Sequence, residues 1–186
     1  CGERISARYP LVEAGTAVAL AAVAAVHADD PARLALGAVL VLFLIPMALI
    51  DADTRLIPNA LTGPAAIAAI ALGLALDPSG EPERLIAGAA AAAFFLLALL
   101  AYPGGMGMGD VKLAGVLGLF LGAPVAVAVL AALVTGTIAG AVVVARDGVA
   151  AGRKAKVPFG PFLAFGGLVA VLCGTPLMDA YLSTFA

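Results

Sequence analysis

Ionisable side chains at membrane depth are costly and mark the places where chemistry is done. In this chain of 186 residues the carboxylates set within or at the ends of long apolar runs are few: Glu13, Asp51, Asp53 and Asp110. Asp51 ends one run and Asp110 opens another, with two complete apolar runs, 60–76 and 85–102, between them, so both carboxyls return to the same side. Two carboxyl groups brought within a few ångströms in a low dielectric cannot both ionise comfortably, and they share a proton. One then activates water as a general base while the other donates to a carbonyl oxygen, which is aspartic-protease chemistry. The competing reading is that each Asp caps a helix end at the interface, and the two residues alone leave both readings open. Asp53 complicates the choice: residues two apart on a helix point to different faces, so only one of Asp51 and Asp53 can face a partner.

The segment before Asp110, Gly104-Gly105-Met106-Gly107-Met108-Gly109, favours catalysis. Its glycines let the backbone bend and approach another segment closely, delivering an Asp to a buried position and leaving room for an extended peptide. A phosphate loop fits poorly, because the glycines match neither G-x-x-x-x-G-K-[ST] nor G-x-G-x-x-G and follow no strand. Other chemistries fall by elimination. His27 is the sole histidine, and Ser6, Ser79 and Ser183 all lie outside the hydrophobic runs, so no Ser-His pair is buried together. There is no H-E-x-x-H, and Cys1 and Cys173 fall on opposite expected faces, which rules out a zinc-protease site.

The elements that must position these carboxylates are set by composition. With 63% hydrophobic and 12% charged residues, against about 45–50% and 25% in ordinary soluble domains, the chain is not a soluble globule. Aromatic residues are 6% and Trp is absent, so it lacks the aromatic girdles of a membrane barrel. The formal net charge of −2 and the lack of any basic run beyond Arg153–Lys156 argue against nucleic acid as a partner. Two cysteines are too few for a disulfide scaffold.

Seven apolar runs emerge: 11–26, 34–50, 60–76, 85–102, 111–122, 125–145 and 157–174. The expected fold is an all-α polytopic integral membrane protein of six to seven transmembrane helices. The fifth run is too short to span; it is expected to be recessed and to form a hairpin with the sixth, turned at Gly122-Ala123-Pro124. If the runs alternate sides, Arg4, Arg8, Arg55, Lys112, Arg146, Arg153, Lys154 and Lys156 share one face and only Arg33 and Arg84 the other. The positive-inside rule makes the first face cytoplasmic. Asp29, Asp30, Asp77, Glu81 and Glu83 then decorate the outer side. The small-residue pairs Gly118/Gly122 and Gly136/Gly140 are expected to be chance in so Gly-rich a chain, and Cys173 a small buried apolar residue in the last helix. No signal peptide separates from the first run, and a chain that opens on Cys reads as a fragment or processed form.

Gly107-Met108-Gly109-Asp110 followed by Val111-Lys112-Leu113 is a G-x-G-D element, and it accompanies Asp51-Ala52-Asp53-Thr54-Arg55-Leu56-Ile57-Pro58-Asn59. Together they resemble the type IV prepilin peptidases, the G-x-G-D leader peptidases of type IV pili and type II secretion pseudopilins. Arg8-Tyr9-Pro10-Leu11-Val12-Glu13 is similar to that family's entry into its second helix, and Pro158-Phe159-Gly160-Pro161-Phe162 to the start of its last one. The order is the family's throughout.

The resemblance implies a G-x-G-D aspartic endopeptidase that cuts prepilins or pseudopilins at the cytoplasmic face, after the glycine ending a short basic leader. It implies Asp51 and Asp110 as the catalytic pair, with Gly107, Gly109, Asp53, Lys112, Pro58 and Glu13 in binding or supporting roles. Asp53 would hold local charge or cap the 55–59 turn, and Lys112 would be a family position or a snorkelling anchor. It further implies a multi-pass protein of the bacterial inner (cytoplasmic) membrane, with the lipid bilayer and the substrate as partners and no cofactor for proteolysis. Residues 1–10 are expected to be the remnant of a cytoplasmic cysteine-containing segment and 11–186 the transmembrane peptidase domain. Full-length bifunctional members carry two C-x-x-C pairs there, associated with zinc and with N-methylation using S-adenosylmethionine. Cys1 resembles the last of those cysteines, and alone it holds no zinc. The rival readings are another G-x-G-D protease such as a preflagellin peptidase, a proton-coupled carrier using buried Asp residues, and an inactive scaffold. The oligomeric state is not specified.

Overall fold

The computed structural model describes residues 6–103, 105–148 and 158–185. Among these are seven α-helices: α1 (Arg8–Val26), α2 (Pro31–Thr54), α3 (Asn59–Leu76), α4 (Glu81–Ala101), α5 (Met108–Leu121), α6 (Val125–Asp147) and α7 (Gly160–Phe185). All but α5 contribute to spans long and apolar enough to cross a membrane. At 1.5 Å per residue the 14 residues of α5 reach about 21 Å, short of a bilayer core of about 30 Å.

The helix ends follow local chemistry. Asp30 caps α2, its carboxylate accepting the Arg33 amide at 3.0 Å, and Pro31 opens the helix where its missing N–H costs nothing. Arg55 closes α2 in the left-handed region at φ 56°, its amide returning to the Asp51 carbonyl at 2.8 Å. Asp77 caps a short 3-10 turn, Pro78–Gly80, that leads directly into α4.

Three helices outrun their apolar runs by four residues or more at one end. Helix α2 continues to Thr54, so Asp51 lies inside its last turn. Helix α7 starts at Gly160 and runs through Pro176 to Phe185, taking in Ser183. Helix α4 begins at Glu81 instead of Leu85 because its first-turn charges neutralise one another. Arg84 donates through Nε to Glu81 Oε2 at 3.0 Å and through Nη1 to Asp77 Oδ2 at 2.8 Å. Glu81 and Arg84, at the end of the bundle expected to face outward, are only 3% and 8% exposed, so the pair is buried there and not solvated.

The expected hairpin of α5 with α6 does not form as a packed pair. The turn at Gly122–Pro124 is present, but α5 packs chiefly along α4, and α6 chiefly along α7. Gly118 is the reason, and it is not a chance glycine: a Cβ there would stand 2.5 Å from the Gly88 backbone, so α4 and α5 cross in near-backbone contact. Gly136 also makes room, for the Phe159 ring, whereas Gly140 faces open space.

Helix α5 sits at the centre, with eight of its 14 residues buried. Leu40, Leu44 and Met47 of α2, Phe95 of α4, Leu113 and Leu117 of α5 and Leu163 of α7 form the fully buried core. Helix α1 buries only Val23 and presents apolar residues outward, as a lipid-facing helix does. Its far end is tied down by His27, whose Nε2 donates to the Val171 carbonyl at 2.8 Å. Cys173 is exposed on α7, contrary to its expected burial, since the inward stripe passes through Ala170, Val171 and Gly174.

Candidate active site

On α2 the buried positions Leu36, Leu40, Leu44, Met47 and Asp51 recur at steps of three and four, one face of a helix. Asp51 therefore continues an apolar stripe into the bundle and is 5% exposed. Its charge is met from across the fold: the Gly160 amide, at the start of α7, donates to Asp51 Oδ2 at 2.9 Å. The first amides of a helix have no acceptor within it, and Asp51 supplies one. A Cβ on Gly160 would lie 2.6 Å from that oxygen. Only glycine fits.

Asp110 is the third residue of α5 and 7% exposed. Its Oδ2 accepts the Gly107 amide at 3.1 Å, and its own amide donates to the Gly107 carbonyl at 3.1 Å. This reciprocal cap fixes the side chain over the first turn of its own helix. Gly109 lets the α2–α3 connection press against that turn, since a Cβ there would stand 3.0 Å from Ile57 Cβ. Pro58, at the N-cap of α3, accepts the amides of Leu61 and Thr62 at 3.0 and 3.2 Å. One residue on, Asn59 Oδ1 accepts from Lys112 Nζ at 2.7 Å, a second tie between the start of α3 and α5. Lys112 thus holds Asn59.

These ties hold the end of α2 and its connection to α3, just beyond Asp51, against the first turn of α5, which carries Asp110. Each carboxylate keeps Oδ2 on a glycine amide. Among the described residues neither Oδ1 accepts a hydrogen bond, and neither is sealed from solvent, because the buried side-chain oxygen without a partner is Glu81 Oε1 at the far end. The arrangement leaves one open oxygen on each of two neighbouring carboxyls, a place for a water and a proton.

Asp53 turns to the other face of α2 and pairs with Arg8 Nη2 at 2.6 Å, both side chains half exposed. It holds charge there, and Thr54, not Asp53, reaches toward the following turn through the Leu56 carbonyl. Glu13 is exposed on α1 and shares no hydrogen bond or ion pair with the carboxylates. Gly160 and Asn59 join the site beyond the residues that the resemblance implies, and the signals for them are the motifs Phe159-Gly160-Pro161 and Ile57-Pro58-Asn59 in which they stand.

Cys1 lies outside the described residues, Cys173 is exposed on α7, and among the described residues no three His, Cys, Asp or Glu gather. A cavity of about 670 Å³ opens at the opposite end of the bundle, lined by His27, Asp30, Arg33, Asp77, Arg84 and Asp179 among others, and contains neither Asp51 nor Asp110.

The model of the type IV leader peptidase family matches residues 38–143. The prepilin leader peptidase/N-methyltransferase of Aeromonas hydrophila is 33% identical over 192 residues, covering 100% of this chain and 65% of that protein. The protein so named from Burkholderia pseudomallei (strain 1026b) is 36% identical over 187 residues, 95% of this chain and 58% of its own length. That of Pseudomonas aeruginosa is 32% identical over 192 residues, 98% and 64%. This chain spans 58–65% of the length of the curated relatives it matches. No solved structure matches. The matched segment runs from α2 into α6, taking in Asp51, the G-x-G-D turn and the two helices between them, and the chain belongs to the type IV leader peptidase family.

Proposed function

We propose that this chain is a membrane-embedded aspartic endopeptidase that removes the short basic leader from type IV prepilins or type II secretion pseudopilins, cutting after glycine at the cytoplasmic face. The observation that carries the reading is the pair Asp51 and Asp110, buried, neighbouring, and each pinned through Oδ2 by a glycine amide.

In this mechanism one carboxyl is protonated and the other ionised. The ionised member takes a proton from a water between the open Oδ1 atoms, and the water oxygen attacks the scissile carbonyl. The protonated member donates to the carbonyl oxygen. Collapse of the tetrahedral intermediate returns a proton to the leaving amine and restores the pair. An extended backbone at the cut glycine exposes that carbonyl, while the apolar helix of the substrate stays among lipid and protein helices.

The side of the membrane is supported by charge. Arg8, Arg55, Lys112 and Arg146 stand at the carboxylate end, and Arg33 and Arg84 at the other, the bias of a cytoplasmic site. The relatives' name includes an N-methyltransferase, and we assign N-methylation of the new pilin terminus, with zinc and S-adenosylmethionine, to a longer parent protein.

The test is cleavage of a membrane-embedded prepilin with a basic leader ending in Gly, in liposomes, with products read by intact mass. Cleavage after that Gly is expected from the wild type, and Asp51→Asn and Asp110→Asn each abolish it without unfolding the protein. Wild-type rates in either variant overturn the assignment.

A further inference from the structure

Asp51 and Gly160 are 109 residues apart in sequence, yet the carboxylate is held by that amide. What fixes the amide is a stack of rings at the start of α7. Phe159 lies between Phe95 of α4 and Phe162 of α7, with centroids 5.9 and 6.1 Å away, and Phe95 is fully buried. Helix α6 supports the stack from another side. A Cβ on Gly136 would meet Phe159 Cε2 at 3.0 Å and Phe162 Cδ2 at 3.7 Å. The half-buried ring is held on these sides by Phe95, Phe162 and Gly136, and the next residue in the chain carries the N–H on Asp51.

We infer that Gly160 is a positioning residue for the proposed peptidase: its amide, set by the Phe95–Phe159–Phe162 stack and Gly136, aims Asp51 by holding Oδ2 and so leaves Oδ1 for the water. This rests on the reading of Asp51 as catalytic. Helices α4, α6 and α7 thereby act on a carboxylate carried by α2. The absence of a Cβ at Gly160 is part of the device, because a methyl there would occupy space now taken by Asp51 Oδ2, Cγ and Cβ. A reacting group displaced by about 1 Å loses about 10²-fold in rate even when binding is intact. The Gly160 device therefore acts on kcat and not on KM.

The experiment compares four variants of the chain in liposomes, reading kcat, KM and thermal midpoint: Gly160→Ala, Gly136→Ala, Gly140→Ala and Asp51→Asn. Gly160→Ala is expected to lower kcat by about 10²-fold and Gly136→Ala, acting through Phe159, by about tenfold, both with KM and midpoint near wild type. Gly140→Ala, one helical turn further along α6 with nothing within 4 Å of its Cβ, is expected to match wild type. If Gly160→Ala fails to fold, Gly136→Ala decides. Wild-type kcat in Gly136→Ala or a folded Gly160→Ala overturns the inference, as does a loss carried by KM or by the midpoint. Activity in Asp51→Asn overturns the proposed function itself, a separate failure from an inactive Asp51→Asn beside fully active glycine variants.

Discussion

Gly118 of α5 rests against Gly88 of α4 with no space for a side chain between them. A Cβ on Gly118 would stand 2.5 Å from both Cα and N of Gly88, and one on Gly88 would stand 3.0 Å from the Gly115 carbonyl oxygen. Within a membrane, helices associate through such close approach, since lipid tails are as apolar as the helix surfaces they compete with. The contact seats the short helix that carries Asp110.

Gly118→Val inserts three carbons into that crossing, where backbone and not a flexible side chain would have to yield. Overpacking of this kind costs about 1–3 kcal/mol, and the variant is expected to unfold earlier in a detergent denaturation series and to lose cleavage as Asp110 moves. Gly63→Ala is the matched control, since its Cβ meets nothing within 4 Å. Equal stability of Gly118→Val and wild type would show that α4 and α5 do not cross at this point.

At the other end, Arg84 joins two carboxylates, and its side chain is 9% exposed while that of Glu81 is 4%. Removing one partner of a buried pair leaves the other charge uncompensated, at a cost of about 3–5 kcal/mol. Arg84→Met is expected to destabilise by that order, and Arg84→Met with Glu81→Leu to recover much of it. A double variant no more stable than the single one would contradict the pairing.

The same arginine gives a pH dependence. Asp77 is held below the usual carboxylate range by its hydrogen bond from Arg84 first, then by the Ser79 hydroxyl and the Gly80 amide. A folded pKa below the unfolded value of about 3.9 makes this contribution fully present above about pH 4 and lost as pH falls through the folded value. Thermal midpoints measured from pH 6 down to pH 3 are expected to fall more steeply for wild type than for Asp77→Asn. Parallel curves would mean that the carboxylate is unperturbed.

Asp53→Asn removes an exposed ion pair with Arg8, a kind of contact worth about 0–1 kcal/mol. Stability within 1 kcal/mol of wild type and retained prepilin cleavage are expected, in contrast to Asp51→Asn two residues away. Loss of cleavage in a folded Asp53→Asn would shift the site to the other face of α2.

The fold was legible because α1, α2, α3, α4, α6 and α7 each announce themselves as long apolar runs, and α5 as one too short to span. That only one of Asp51 and Asp53 faces inward follows from helical period alone. The helix ends were less visible: Glu81 and Arg84 cancel within a buried cluster, and hydropathy, which scores each charge by itself, placed them in a loop. The partner of Gly118 was hidden as well. A spacing of four within one helix suggested Gly122, whereas the contact is with Gly88 on another helix, a matter of tertiary approach. The bond from Gly160 to Asp51 spans 109 residues and uses a backbone amide, which leaves no side-chain type to read.

The cavity opposite the carboxylates reaches down α2 as far as Leu40, and from there to Asp51 the helix rises about 16 Å at 1.5 Å per residue. Leu44 and Met47, with Leu113, Leu117 and Leu163 around them, fill that stretch with fully buried apolar side chains. The fold thus has a cavity with charged walls at one end, the two carboxylates at the other, and apolar packing between. For the acid–base pair proposed above, this layer separates the carboxylates from the far cavity, so a proton taken up at one end meets packed apolar side chains and not a continuous file of water to the other.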